Sequence, residues 1–385
     1  MKNTIKYIIV SAILLICAGY LISRCSVWEN FGNDASKAKK SNDEPSVKIS
    51  ADIQKKLDKM SLEEKVYQMF FVTPEQLTGV GEVIQAGETT KTALKAYPVG
   101  GIIYSAHNIQ TSDQASEMFS KVGEYSQIPL FIGVSEDGSE ESPLSGNPDI
   151  GISGTTSVNK ITDSDEAFEN GEKIGEALTK LGINLNFAPS CDIGTIDSFA
   201  DDKQTVSDNA SSFVSGLKKS KLAVVVKHFP GIGDAEGSLE YSALKLDKSK
   251  SALKKNEFAP FKEAIDAGAD FVMVSPVTAI DIDSEKPAVF SSKVIKEVLR
   301  KEIGFNGIVI TDNLSCGAVL NMYTSGDAAI NAVKAGADML FMPNSLESAA
   351  KSLITAVKNG DISENRINES VARILQCKKD IGLIK

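Results

Sequence analysis

From Ala51 onward, eight short runs of branched and aromatic residues recur: Met69–Val72, Gly101–Tyr104, Leu130–Val134, Leu185–Ala188, Ala223–Lys227, Phe271–Val274, Gly307–Thr311 and Met339–Met342. None shows the apolar and polar alternation of a half-exposed strand, so each reads as a strand covered on both faces, as in a parallel sheet. Between them lie helix-compatible stretches, among them Ser112–Tyr125, Ser164–Leu181, Thr205–Lys218, Asn256–Ala267, Lys293–Glu302 and Asp327–Ala335. This rhythm belongs to an α/β fold. Eight such units over roughly 330 residues predict a (β/α)8 TIM-like barrel, somewhat longer than the typical ~250 residues. A doubly wound open sheet shares the rhythm and is the alternative.

In a barrel, the residues just beyond the strands line one mouth, and chemistry gathers there. Read in order, these are Thr73, Ser105, Ser135-Glu136-Asp137, Asp192, Lys227-His228, Ser275, Asp312-Asn313 and Pro343-Asn344. The chain has only two histidines, His107 and His228, and one stands beside a lysine at a strand end. Asp312 leaves the run Gly307–Thr311 directly into the mouth; capping the next helix is its other use, although Asn313 and Ser315 are equally able caps. Two carboxylates at one mouth are the minimum for retaining glycoside hydrolysis, one as nucleophile and one as acid/base about 5–5.5 Å away. Lys227 and His228 suit hydrogen bonding to sugar hydroxyls, and their positive charge would keep a nearby carboxylate ionised.

Of 385 residues, 51 are acidic and 41 basic, a net charge of −10 with no basic block, which excludes a nucleic-acid partner. The five cysteines form no CxxC pair and are odd in number, so neither a zinc site nor a disulfide framework is expected. Two histidines without HxH or HExxH spacing make no metal site, and no organic cofactor is implied. A monomer is expected.

The amino terminus carries an address. Lys2 and Lys6 precede an uncharged run, Tyr7–Ile22, which is the layout of a basic region followed by an apolar one. Its 16 residues fall just short of the roughly 17–25 of a spanning helix, and no A-x-A cleavage site follows. Residues 1–25 are read as a signal anchor or signal peptide, an uncleaved anchor being favoured, and Ser26–Ser50 as a polar tether. Arg24 before Cys25 argues against lipidation. The barrel, 51–385, would then stand outside the cytoplasm, tethered to the membrane, or secreted if the signal is cleaved.

Met60-Ser61-Leu62-Glu63-Glu64-Lys65 with Gln68-Met69-Phe70, Tyr97-Pro98-Val99-Gly100-Gly101-Ile102-Ile103, Gly182-Ile183-Asn184 through Pro189, Lys227–Gly231 and Gly307–Leu314 resemble, in order, motifs of glycoside hydrolase family 3. The resemblance spans most of Ile53–Lys385 and is to the single-barrel β-N-acetylhexosaminidase branch. It implies a retaining hydrolase acting on β-linked N-acetylglucosamine or a related sugar of cell-wall glycan. It also implies Asp312 as nucleophile, with Asp192, Lys227 and His228 binding sugar hydroxyls.

Other positions depart from the family pattern. After Lys-His-Phe-Pro-Gly the family continues with His-Gly and then an Asp-Ser-His triplet whose Asp and His form the acid/base dyad. A gap-free count puts Ile232 at the first His and Ser238, Leu239 and Glu240 at the triplet. Glu240 or a neighbouring loop carboxylate is therefore the candidate acid/base, the other reading of Asp234, Glu236 and Glu240 being a solvated acidic loop. Ser135-Glu136-Asp137-Gly138-Ser139 stands where the family has an Asp before Gln/Glu-Glu-Gly-Gly, Asp197-Ser198-Phe199 where it has Arg-Ser-Phe, and Pro276 where it often has His. Each sugar hydroxyl left without a partner costs roughly 1–3 kcal/mol, so a catalytically silent sugar-binding paralog is the competing expectation.

Overall fold

The computed structural model describes residues 49–385 apart from Asp234 and Glu236, so the apolar run Tyr7–Ile22 and nearly all of the Ser26–Ser50 segment lie outside the described residues. Among the described residues, no helix is long and apolar enough to cross a membrane. At the near end of that segment Ser50 already bonds to the body, its N–H donating to Gln376 Oε1 at 3.0 Å.

Among the described residues ten strands follow in chain order: β1 (Phe70–Val72), β2 (Gly101–Ile103), β3 (Phe131–Val134), β4 (Leu185–Asn186), β5 (Ala223–Phe229), β6 (Lys245–Leu246), β7 (Phe271–Val274), β8 (Thr278–Ala279), β9 (Ile308–Thr311) and β10 (Leu340–Phe341). Eight of them, all parallel, form one sheet in the order β10-β1-β2-β3-β4-β5-β7-β9. The ring closes where Thr311 N–H donates to Met339 O and Met339 N–H to Val309 O, each at 3.0 Å, around a bridge between Ile310 and Met339. That closure makes a barrel and excludes the open sheet. The eight expected runs supply its eight strands, trimmed at their ends, whereas β6 and β8 pair with one another outside it.

The helices Ser112–Tyr125 and Ser164–Leu181 keep their expected bounds, and Lys293–Glu302 is helical in the wider π form. Lys203–Lys218 starts two residues earlier than expected because the Asp202 carboxylate caps the Gln204 and Thr205 N–H groups, each at 3.0 Å. The barrel is filled by rings: Phe71 meets Phe187 edge-on at 5.1 Å, Phe187 lies 5.0 Å from Phe341, and Phe131 meets Phe271 edge-on at 5.3 Å. Each buried phenylalanine contributes about 1.5–3 kcal/mol. Gly101 is required beside them, since a Cβ there would stand 2.4 Å from the Phe71 ring.

Candidate active site

β5 runs past the sheet's regular edge. Its pairing with β7 shifts register between Val226 and Phe229, so two consecutive side chains, Lys227 and His228, reach one cavity instead of opposite faces. The cavity measures about 620 Å³, within the ~300–1,000 Å³ of small-ligand sites. Phe187, Met273 and Phe341 give it an apolar lining continuous with the barrel core. Asp312 enters from the end of β9, its backbone N–H bonded to Val274 O at 2.9 Å and its Oδ1 accepting from Asn313 N–H at 2.6 Å. Asp312, Lys227 and His228 thus converge on one cavity, as their strand-end positions predicted.

Asp192 is placed differently. Its side chain is 1% exposed and stands behind His228, outside the cavity lining. Oδ2 accepts from His228 Nδ1 at 2.8 Å and from Ser190 Oγ at 3.1 Å, while Oδ1 accepts from Ile232 N–H at 2.9 Å. It therefore positions the imidazole and the start of the following loop, where direct contact with a sugar hydroxyl was expected. Burial pulls the His228 imidazolium down, but the bond to Asp192 and the Asp192 and Asp312 charges outweigh burial and Lys227, leaving its pKa above the ordinary histidine value.

Glu240 is not brought to the cavity. It is exposed, and its backbone carbonyl accepts from Gly317 N–H at 2.8 Å, as Leu239 O does from Ala318 N–H at 3.0 Å, so this stretch lies along the short helix Gly317–Leu320. The gap-free count fixes a number of residues, and in this chain Leu239 and Glu240 run along the short helix instead of into the cavity.

Ser135, just beyond β3, accepts from Lys227 Nζ at 3.0 Å and donates to Phe187 O at 3.1 Å, so a hydroxyl holds the lysine. The next residue, Glu136, is fully buried and accepts from Gly138 N–H at 2.9 Å, Leu144 N–H at 2.9 Å and Ser145 N–H at 3.1 Å. Burial raises its pKa despite these bonds. The turn it organises carries Glu141 and Pro143 into the cavity wall.

Ser105 and His107, beyond β2, complete the wall, and sequence reasoning gave them no role. Their signal was available: Ser105 is a strand-end residue, and His107 is the other of the chain's two histidines.

Residues 61–377 match the sequence model of the family described as "Glycosyl hydrolase family 3 N terminal domain". This chain belongs to glycosyl hydrolase family 3. Within the family it is 28% identical over 300 residues to a beta-hexosaminidase of Nitrosomonas eutropha, covering 75% of this chain and 85% of that protein. It is 24% identical over 322 residues to beta-hexosaminidase A of Pseudoalteromonas piscicida, covering 74% of this chain but 54% of that longer protein. A solved family 3 beta-N-acetylglucosaminidase from Paenibacillus sp. str. FPU-7 superposes with a TM-score of 0.78 at 30% identity, covering 84% of this chain and 63% of that one. The chain therefore spans about half to two thirds of the length of two of these three family 3 relatives.

Proposed function

We propose that this chain is a retaining glycoside hydrolase that removes β-linked N-acetylglucosamine or a related sugar from cell-wall glycan, with Asp312 as the nucleophile. The convergence of Asp312, Lys227 and His228 on one cavity floored by Phe187 and Phe341 carries the reading. A sugar ring presents an apolar face to such a floor and hydroxyls to charged donors. Lys227 and His228 donate to the hydroxyls; Asp312 attacks the anomeric carbon, and water then releases the sugar with its configuration retained. The name shared by the beta-hexosaminidase relatives supports this substrate class.

Turnover of a panel of aryl glycosides, led by the β-N-acetylglucosaminide, should fall to background in Asp312→Ala. A fluoro-sugar should also leave its adduct on Asp312. Native turnover no greater than that of the variant on every sugar would end the reading.

The replacement of the family's Asp by Ser135 and the exit of Glu240 from the cavity favour a second reading, a silent sugar-binding paralog. Calorimetry with peptidoglycan fragments separates the two, because binding without turnover belongs to the second alone.

For the chain outside the described residues, the basic start and the run Tyr7–Ile22 support an exported protein held by an amino-terminal anchor (1–25) and tether (26–50). Protease accessibility of the barrel on intact cells, together with its recovery in the membrane fraction, checks this placement.

A further inference from the structure

Retaining chemistry needs a proton-carrying group opposite Asp312, and Glu240 lies outside the cavity. Of the other titratable groups on the wall, Lys227 is held on Ser135 and His228 on Asp192. Among the described residues Tyr104, Glu141 and His107 remain, and Tyr104 is 1% exposed with burial pushing its phenol far above its ordinary value, so it keeps its proton. Glu141 is exposed and makes no hydrogen bond or ion pair among the described residues, so nothing orients it.

His107 stands in a built constellation. Its Nδ1 lies 2.9 Å from Ser105 Oγ, and its Nε2 lies 3.5 Å from Glu75 Oε1. Glu75 is itself fixed: its Oε1 accepts from Asn108 Nδ2 at 2.7 Å and from Val83 N–H at 3.1 Å. It sits on the helix Pro74–Thr78, which a reciprocal Thr73 and Gln76 capping box starts just beyond β1. Asn108 also accepts from Ser105 N–H at 3.0 Å, so one amide ties the serine's backbone to the carboxylate. Neighbouring strands β1 and β2 thus deliver carboxylate, imidazole and hydroxyl in sequence toward the cavity. Separations of this kind in a ligand-free site tighten on substrate binding.

We propose that His107, positioned by Glu75, is the acid/base of this cavity and acts through the Ser105 hydroxyl. In the first step the Asp312 carboxylate forms a bond to the anomeric carbon as the bond to the leaving oxygen breaks. That oxygen takes the Ser105 proton while Ser105 takes the Nδ1 proton of the imidazolium. In the second step water bonds to the anomeric carbon and the ester to Asp312 breaks; the water proton returns through Ser105 to neutral His107. Glu75 gives up and takes no proton in either step, its carboxylate facing the ring from the Nε2 side.

The assignment rests on the glycosidase reading, so its test includes the native chain and Asp312→Ala. Aryl glycosides of the best native sugar, from dinitrophenyl to unsubstituted phenyl, are compared in His107→Ala. The phenyl glycoside should slow by about 10²–10⁴-fold, the typical worth of a general acid. The dinitrophenyl glycoside, whose leaving group needs no proton, should keep its first step and show a burst. Azide should restore turnover and yield the glycosyl azide of retained configuration, which a merely structural role would not produce. Glu75→Gln should give the same trend more weakly. His107 is 55% exposed, so its truncation leaves the fold intact. Equal loss on every leaving group without glycosyl azide would overturn the assignment, as would this signature in Glu141→Gln while His107→Ala behaves as native. An inactive native chain would remove the glycosidase reading and this one together. An active native chain and a dead Asp312→Ala, with no leaving-group dependence in His107→Ala, would remove this one alone.

Discussion

His228 holds its proton to higher pH than a free imidazole because Asp192 is buried behind it, 2.8 Å from Nδ1. The sign of the coupling follows from the direction of that shift. A histidine whose folded pKa is raised adds stability that is complete below the unfolded value near ~6.5 and disappears as pH rises through the folded value. Asp192→Asn should therefore destabilise the protein most in acid. Above the folded value the cost should shrink to that of an ordinary hydrogen bond, about 1 kcal/mol. In NMR titration the His228 resonance, assigned against a His107→Ala spectrum, should move to a lower pKa in Asp192→Asn. An unmoved midpoint would show that Asp312, the other carboxylate acting on this ring, sustains it alone.

At the scale of an element, the loop beyond β3 depends on the buried Glu136 carboxylate that gathers the Gly138, Leu144 and Ser145 N–H groups. Glu136→Gln would replace one acceptor oxygen with a donor facing donors, at a cost of about 1–3 kcal/mol. Amide exchange should accelerate over Gly138–Ser145 and stay native in the barrel strands; unchanged exchange in the loop would show that other contacts hold it. This loop also marks where sequence reasoning stopped. Phe271–Val274 and the seven other barrel strands were legible because strands buried on both faces leave uninterrupted apolar runs. Lys227, His228 and Asp312 were legible because they directly follow or end such runs. The pair β6 and β8 was not, since each is two residues long and Lys245 is exposed, so no run or alternation exists to read. The meeting of Glu75 with His107 was hidden because the two belong to different βα units and depend on β1 and β2 being neighbours in the closed sheet. Glu240 was misplaced because spacing records the number of residues in a loop and says nothing about its course.

At the scale of the whole molecule, the end of the barrel away from the mouth is held by buried charge. Asp338, at the foot of β10, bonds to Arg300 at 2.6 Å, Arg373 at 3.1 Å and Arg366 at 3.2 Å, joining the closing strand to Lys293–Glu302 and to the terminal helix Glu364–Asp380. Burial alone would favour the neutral acid, and the three guanidinium groups reverse this, holding the carboxyl far below its usual range. Lys378 on the same terminal helix has no such compensation. It is fully buried, donates to Gln68 Oε1 at 2.7 Å and lies 5.1 Å from the centre of the Phe131 ring. Burial pushes its ammonium down to about 7. Between that value and the ~10.4 of an unfolded lysine, the unfolded chain binds a proton that the folded chain does not. Stability should therefore rise with pH across this window, and below it the full penalty of a buried ammonium should apply. Lys378→Met keeps the apolar stem and removes the titration. Denaturant unfolding at a series of pH values should show the native protein gaining on the variant as pH rises from 7 toward 10.5, with the two running parallel in acid. Parallel curves throughout the window would mean that Lys378 keeps its charge inside the barrel, with Gln68 and the Phe131 face solvating it.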